Sequence, residues 1–232
     1  MTDTAKRVGE AVALGAITSL VTRDATAAGA RLLVFVHTAV KQRALQSALQ
    51  EGLAGVTVTA VGRIGDVERA LTEGQDAVLT LPIVLAARGL ALRLQGIRGG
   101  AADEGYALVG VGRAPDPASV ASVGALDLLG REGTNAFVAD LVGRATKVER
   151  VTKVEDLLPL LQMEVVESVL LATRLLPDVR AASQLSLIAT ELPKRVLLPA
   201  VAGLGPGADA VVDGVRRMPA NAMALLGVDG WR

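Results

Sequence analysis

The chain carries one histidine, His37, and no cysteine, so its chemistry rests on hydroxyls, amides, carboxylates and arginines. Without thiols there are no disulfides, no thiolate nucleophile and no cysteine-ligated metal. A lone imidazole excludes a multi-histidine metal centre and makes a nucleophile–base dyad hard to assemble. The acidic pairs Asp103/Glu104 and Glu155/Asp156 are adjacent in sequence. Neighbours on a helix diverge by about 100°, so these are poor acid–base partners. There is no Gly-x-Ser-x-Gly elbow, no phosphate-binding Gly-x-x-x-x-Gly-Lys-Ser/Thr loop and no dinucleotide Gly-x-Gly-x-x-Gly after the first strand. Val109-Gly110-Val111-Gly112 lacks the third glycine, and Pro206 removes a donor from the glycine-rich stretch 203–207. These features predict a protein that is not an enzyme, with no cofactor and no metal.

A different set of polar residues falls where predicted strands end. His37 and Thr38 follow one apolar run, Arg63 a second, and Thr80 and Leu81 a third; Arg131, Thr134 and Asn135 open a mid-chain helix. In open parallel sheets ligands bind at the carboxyl ends of strands, against helix N-termini. Hydroxyls, free backbone N–H groups and arginines there suit an anion or an oxygen-rich polar solute. Each residue has a structural alternative. Thr134 or Asn135 caps its helix, Arg63 and Arg131 pair with Asp66 and Glu132, and His37 is a hydrogen-bonded structural residue. The convergence of these polar loops at strand ends favours a binding site.

The elements that position them begin with Leu32-Leu33-Val34-Phe35-Val36, a continuous apolar run expected of a strand buried on both faces. Residues 40–50 read as a helix, residues 56–61 as a second strand, and Asp66 as the cap of a short helix closed by Gly74. Ala77-Val78-Leu79-Thr80 is the third strand, with Pro82 at a helix start. Strand, helix, strand, helix, strand with short connections specifies a parallel βαβαβ unit from about Arg31 to Gly96. Further on, strands are predicted at 106–111, 148–151, 169–172 and 185–190. Residues 120–126 are a short strand or a linker. Helices are predicted from Thr134 to Leu141, from Thr152 with Glu155 completing a capping box, and from Ala208 to Leu225. Two α/β lobes explain this repeated theme more naturally than one doubly wound sheet, which is the alternative.

Composition narrows the partners. Hydrophobic residues make up 51% of the 232 residues, ample for a packed core. Lys plus Arg and Asp plus Glu are equal at 24 each, so no basic excess neutralises phosphates and nucleic acid is not expected. Residues 1–30 follow a charged, apolar, small-residue order, with Lys6 and Arg7 before the run from Ala11 to Val21. That order reads as a signal peptide; the alternative, prompted by Glu10, Arg23 and Asp24, is an attached amphipathic helix. The first reading places the protein in the periplasm, the second in the cytoplasm. No other stretch is long and apolar enough to span a bilayer, so the chain is not expected to be an integral membrane protein.

Val61-Gly-Arg-Ile-Gly-Asp-Val-Glu-Arg-Ala-Leu71 followed by Asp76-Ala-Val-Leu-Thr-Leu-Pro82 resembles the first lobe of type 2 periplasmic binding proteins. Val123-Gly-Ala-Leu-Asp-Leu-Leu-Gly130 and Val151-Thr-Lys-Val-Glu-Asp-Leu-Leu-Pro159 resemble the second. The nearest subtype is the phosphate/phosphonate-type solute-binding component of ABC transporters, although the stretch 130–135 holds a single hydroxyl, Thr134. The resemblance implies a two-lobed α/β fold, each lobe a mainly parallel sheet flanked by helices. Residues 31–98 and 187–232 would form lobe 1 and residues 99–186 lobe 2, with crossings near 96–102 and 182–186. It implies a small polar or anionic solute clamped by hinge closure between the lobes, with an ABC transporter permease as partner. A cytosolic ligand-sensing domain on the same fold, and a small-substrate enzyme using His37, are the competing readings.

Overall fold

A computed structural model describes residues 29–232; the signal-peptide reading falls almost wholly outside that range. Ala30, grouped with that segment, is the first residue of a strand. The chain runs β1 (Ala30–Phe35), α1 (Gln42–Gly52), β2 (Val56–Ala60), α2 (Ile64–Thr72), β3 (Ala77–Thr80), α3 (Pro82–Ala86) and β4 (Leu92–Ile97). It then crosses into β5 (Asp103–Val111), β6 (Ser122–Leu126), α4 (Gly130–Val142), β7 (Lys147–Val151), α5 (Leu157–Gln162), β8 (Ser168–Ala172), α6 (Leu176–Ala181) and β9 (Leu187–Leu197). It returns as β10 (Ala200–Gly203), α7 (Ala208–Arg216), α8 (Ala220–Leu225) and β11 (Gly230–Trp231).

Two sheets result, ordered β11-β4-β10-β3-β1-β2 and β7-β6-β8-β5-β9. The βαβαβ unit makes the parallel part of the first sheet, with β1 between β2 and β3. β10, β4 and β11 add antiparallel pairings. In the second sheet β6 pairs in parallel with β7 and β8, while β5 runs antiparallel to β8 and β9.

Side chains alternate across β1, and each face has its own cover. Leu32 and Val34 pack with Leu45 and Leu49 of α1 and with Val211, Val212 and Val215 of α7. Leu33 and Phe35 join Val67 of α2 and Val84 and Leu85 of α3. This second cluster continues without a break into lobe 2, through Leu81 to Tyr106, Leu128, Phe137 and Leu175.

The edge strand β2 has a second, polar support. Gln42, Gln46 and Gln50 repeat every fourth residue along α1 and so share a face. Gln42 Nε2 donates to Ala60 O at 2.8 Å, and Gln46 Oε1 accepts from Ala60 N at 3.1 Å. Gln50 accepts from Val58 N at 2.8 Å and donates to Val56 O at 2.6 Å. The three amides satisfy backbone groups that an open edge would offer to another chain, and they fix the start of α1 over the end of β2.

Several expectations are corrected. β9, assigned to lobe 1, pairs with β5 from Leu187 to Leu197 and belongs to the second sheet. The return crossing is therefore at Leu198-Pro199 and not at 182–186, because an eleven-residue antiparallel ladder carries the chain past that point. The C-terminal helix is broken after Arg216, and Pro219 caps α8; proline cannot continue a helix interior. Thr152 makes no capping box. A 3-10 turn, Val154–Asp156, leads directly into α5 with no side-chain cap bond. α4 begins at Gly130, whose φ of +75° suits glycine, four residues before Thr134.

The crossing strands are tied together. Leu198 N donates to Ala102 O at 2.8 Å and Gly96 N to Pro199 O at 2.9 Å. The buried Gln95 amide bonds Leu198 O at 2.8 Å. A Cβ on Gly96 would lie 2.6 Å from Pro199 O, so close passage of the two segments requires glycine there.

Candidate functional site

After Phe35 the chain leaves the sheet through Val36, His37 and Thr38. Thr38 Oγ1 accepts from Val40 N at 3.3 Å, a turn that delivers the chain to α1. The helix starts at Gln42 without a side-chain cap, so its first backbone N–H groups remain available and carry the positive end of its dipole. Facing this turn is the segment after β7, residues 152–155. Together they enclose a cavity of about 380 Å³, lined among others by His37, Thr38, Lys41, Arg43, Thr152 and Lys153. Among the described residues, Lys41, Arg43 and Lys153 form no ion pair. One carboxylate, Glu155, also lines the space.

His37 forms a wall of this cavity and of a much smaller void, about 20 Å³, deeper between the lobes. The void is bounded mainly by apolar groups, including Leu81, Tyr106, Leu128, Phe137 and Leu171. Phe35 meets the imidazole edge to face at 5.2 Å, and Tyr106 meets Phe137 likewise at 5.9 Å. Both ring nitrogens of His37 are sealed from solvent and, among the described residues, have no hydrogen-bond partner. Burial lowers the His37 pKa to about 4; the Arg174 guanidinium adds to that shift and Asp127 opposes it. The ring is therefore a neutral imidazole at pH 7, with one donor and one acceptor.

Arg174 lies in the 3-10 turn after β8 and reaches the other lobe. Its Nε sits 3.0 Å from Glu104 Oε2, and its Nη2 donates to His37 O at 3.0 Å. Gly227, at φ +77°, leaves room for the guanidinium: a Cβ there would stand 2.7 Å from Arg174 Nε. Burial pushes the Glu104 carboxyl up from its ordinary value, and Arg174 pulls it back.

The eight sequence-predicted site residues separate. His37 and Thr38 line the larger cavity, and His37 and Leu81 the smaller. Thr80 is buried with an unpartnered hydroxyl. Arg63 is exposed at the N-cap of α2, and Arg131 and Asn135 are exposed on α4; none of the three lines either cavity. Asp66, expected to cap α2 or to pair with Arg63, pairs with Arg69. Thr134 is buried inside α4, where Oγ1 donates to Asp127 at 3.0 Å and accepts from Leu129 N at 3.1 Å. Asp127 also binds Arg150 at 2.7 Å. This network holds the loop that presents Leu128 to the void. Sequence reasoning missed Lys41, Arg43, Lys153, Glu104 and Arg174. Lys41 and Arg43 fall in the first turn of the predicted helix 40–50 and Lys153 just after a predicted strand, a usable signal, whereas nothing local marks Arg174.

No protein-family model and no curated protein matches the chain. Solved structures do. Holo ArgBP from T. maritima superposes with a TM-score of 0.58 at 15% identity, covering 83% of this chain and 90% of its own. The GluR0 ligand-binding core in complex with L-glutamate gives 0.56 at 16% identity, covering 85% and 96%. A substrate-binding protein of an amino acid ABC transporter gives 0.54 at 12% identity, covering 80% and 89%. The fold is the two-lobed Venus-flytrap fold of type 2 periplasmic binding proteins.

Proposed function

We propose that this chain is a binding protein that holds a small carboxylate-bearing solute, of amino-acid size, in the cavity between its lobes. The observation that carries this reading is the meeting of three unpaired cations and the uncapped start of α1 around one space contributed by both lobes. Basic side chains and helix N–H groups together favour an anionic group. Glu155 offers a counter-charge for an ammonium, which fits a zwitterion. Binding without conversion is part of the reading. His37 has no carboxylate partner to orient it as a base, and Asp127 is committed to Arg150 and Thr134.

Titration calorimetry and thermal melts with amino acids, short carboxylates and phosphonates test the reading. A carboxylate should bind, and Lys41→Glu or Lys153→Glu should weaken it about tenfold, roughly 1.4 kcal/mol. Tighter binding of phosphonates would move the ligand to the phosphate/phosphonate class; no response to any acid would overturn the proposal.

The likeness to a transporter's substrate-binding protein supports a finer reading, delivery of this solute to an ABC permease from the periplasm. The mass of the chain isolated from its own host tests this. Removal of the N-terminal segment is expected, and an intact Met1 would rule export out.

A further inference from the structure

We infer that the imidazole of His37 reads an uncharged hydroxyl or amide on the bound solute, at the point where the basic cavity meets the small void, so that the solute is a hydroxy- or amide-bearing acid. This rests on the ligand site proposed above and names the other end of the same ligand.

Two buried ring nitrogens stand without partners among the described residues. An unpaired buried polar group is costly, so an occupant that pairs with them is favoured. The adjoining void of about 20 Å³, which His37 also lines, matches roughly one water or one polar atom of a ligand; because both nitrogens are sealed in this structure, the lobes must part to let that atom reach them. A neutral imidazole both donates and accepts, and so does a hydroxyl or a primary amide.

Charged groups fit poorly at the same place. A carboxylate accepts only and would be desolvated against Leu81, Leu128 and Phe137. An ammonium donates only and would approach the Arg174 guanidinium, whose influence already reaches the ring. Asp127, the acidic group near His37, is taken up by Arg150. The cations that would hold the acid lie at the other end, on the turn before α1 and after β7. A ligand spanning the cavity thus presents its carboxylate to Lys41, Arg43 and Lys153 and its uncharged polar end to His37.

The test is titration calorimetry with matched pairs: L-serine against L-alanine, L-glutamine against L-norvaline, and 4-hydroxybutyrate against butyrate, with L-lysine as the cationic arm. In at least one pair the hydroxyl or amide member should bind about tenfold tighter, and L-lysine should bind more weakly than L-glutamine. His37→Phe should remove that ratio. His37→Asn, which keeps a donor and an acceptor, should restore part of it. If His37→Phe fails to fold, the wild-type ratio and His37→Asn decide. Acids that bind without discrimination, or a ratio that survives His37→Phe, overturn this inference and leave the carboxylate site standing. Failure of every acid overturns both.

Discussion

Arg174, on the second lobe, donates a 3.0 Å hydrogen bond to the backbone carbonyl of His37 on the first. The same guanidinium neutralises Glu104, a carboxylate whose side chain is 7% exposed. One side chain thus joins the lobes and balances a buried charge.

Removing it should be costly. Arg174→Met leaves Glu104 buried without its cation, an effect of about 3–5 kcal/mol, measured as the urea midpoint at pH 7.5. The double variant Arg174→Met/Glu104→Gln should recover much of that loss. Glu104 has a raised pKa in the fold even with Arg174 present, so the fold favours its protonated form. Its contribution is largest below the unfolded pKa and falls as pH rises through the folded one. Arg174→Met removes the lowering influence, so its deficit should shrink at acid pH and grow toward pH 8.

His37 has the opposite sign. Its folded pKa lies near 4, below the ordinary 6.5, so the unfolded chain takes up a proton that the folded chain refuses. Stability is fully present above about pH 6.5 and declines as pH falls toward 4. The total is on the order of 3 kcal/mol at its limit. Because the chain has a single histidine, His37→Phe should flatten this decline between pH 6.5 and 5. An unchanged slope in unfolding free energy would contradict a buried neutral ring.

The glutamine face of α1 is open to a direct test. Gln50→Leu deletes two hydrogen bonds to β2, at about 1 kcal/mol each. It also exposes edge backbone groups. A lower urea midpoint should be accompanied by concentration-dependent light scattering; a change in stability without association would show that the amides do not guard the edge.

Thr134 separates structure from binding. Thr134→Val keeps the shape and removes bonds to Asp127 and Leu129, so stability should fall by about 1–3 kcal/mol. Binding of the carboxylate end should persist, since neither Thr134 nor its partners line the basic cavity.

The sequence by itself determined the βαβαβ unit. Its strands are short apolar runs and its helices carry apolar residues at helical spacing, signals contained within a few neighbouring residues. The placement of His37 and Thr38 at the end of β1 followed from the same local pattern. The glutamines at 42, 46 and 50 were equally visible as a spacing, yet their partner strand was not. Tertiary structure decided what depends on pairing between distant segments. The first part of β9 reads as a strand from its own residues, but its place beside β5, where Asp103 pairs with Leu197 and Val111 with Leu187, is a matter of register between distant segments. Thr134 looked like a helix cap and is an interior residue because α4 starts earlier, at a left-handed glycine. The isolation of the His37 nitrogens and the reach of Arg174 across the lobes have no sequence signature. Both arise where side chains far apart in the chain share one low-dielectric space, and no local pattern records such a meeting.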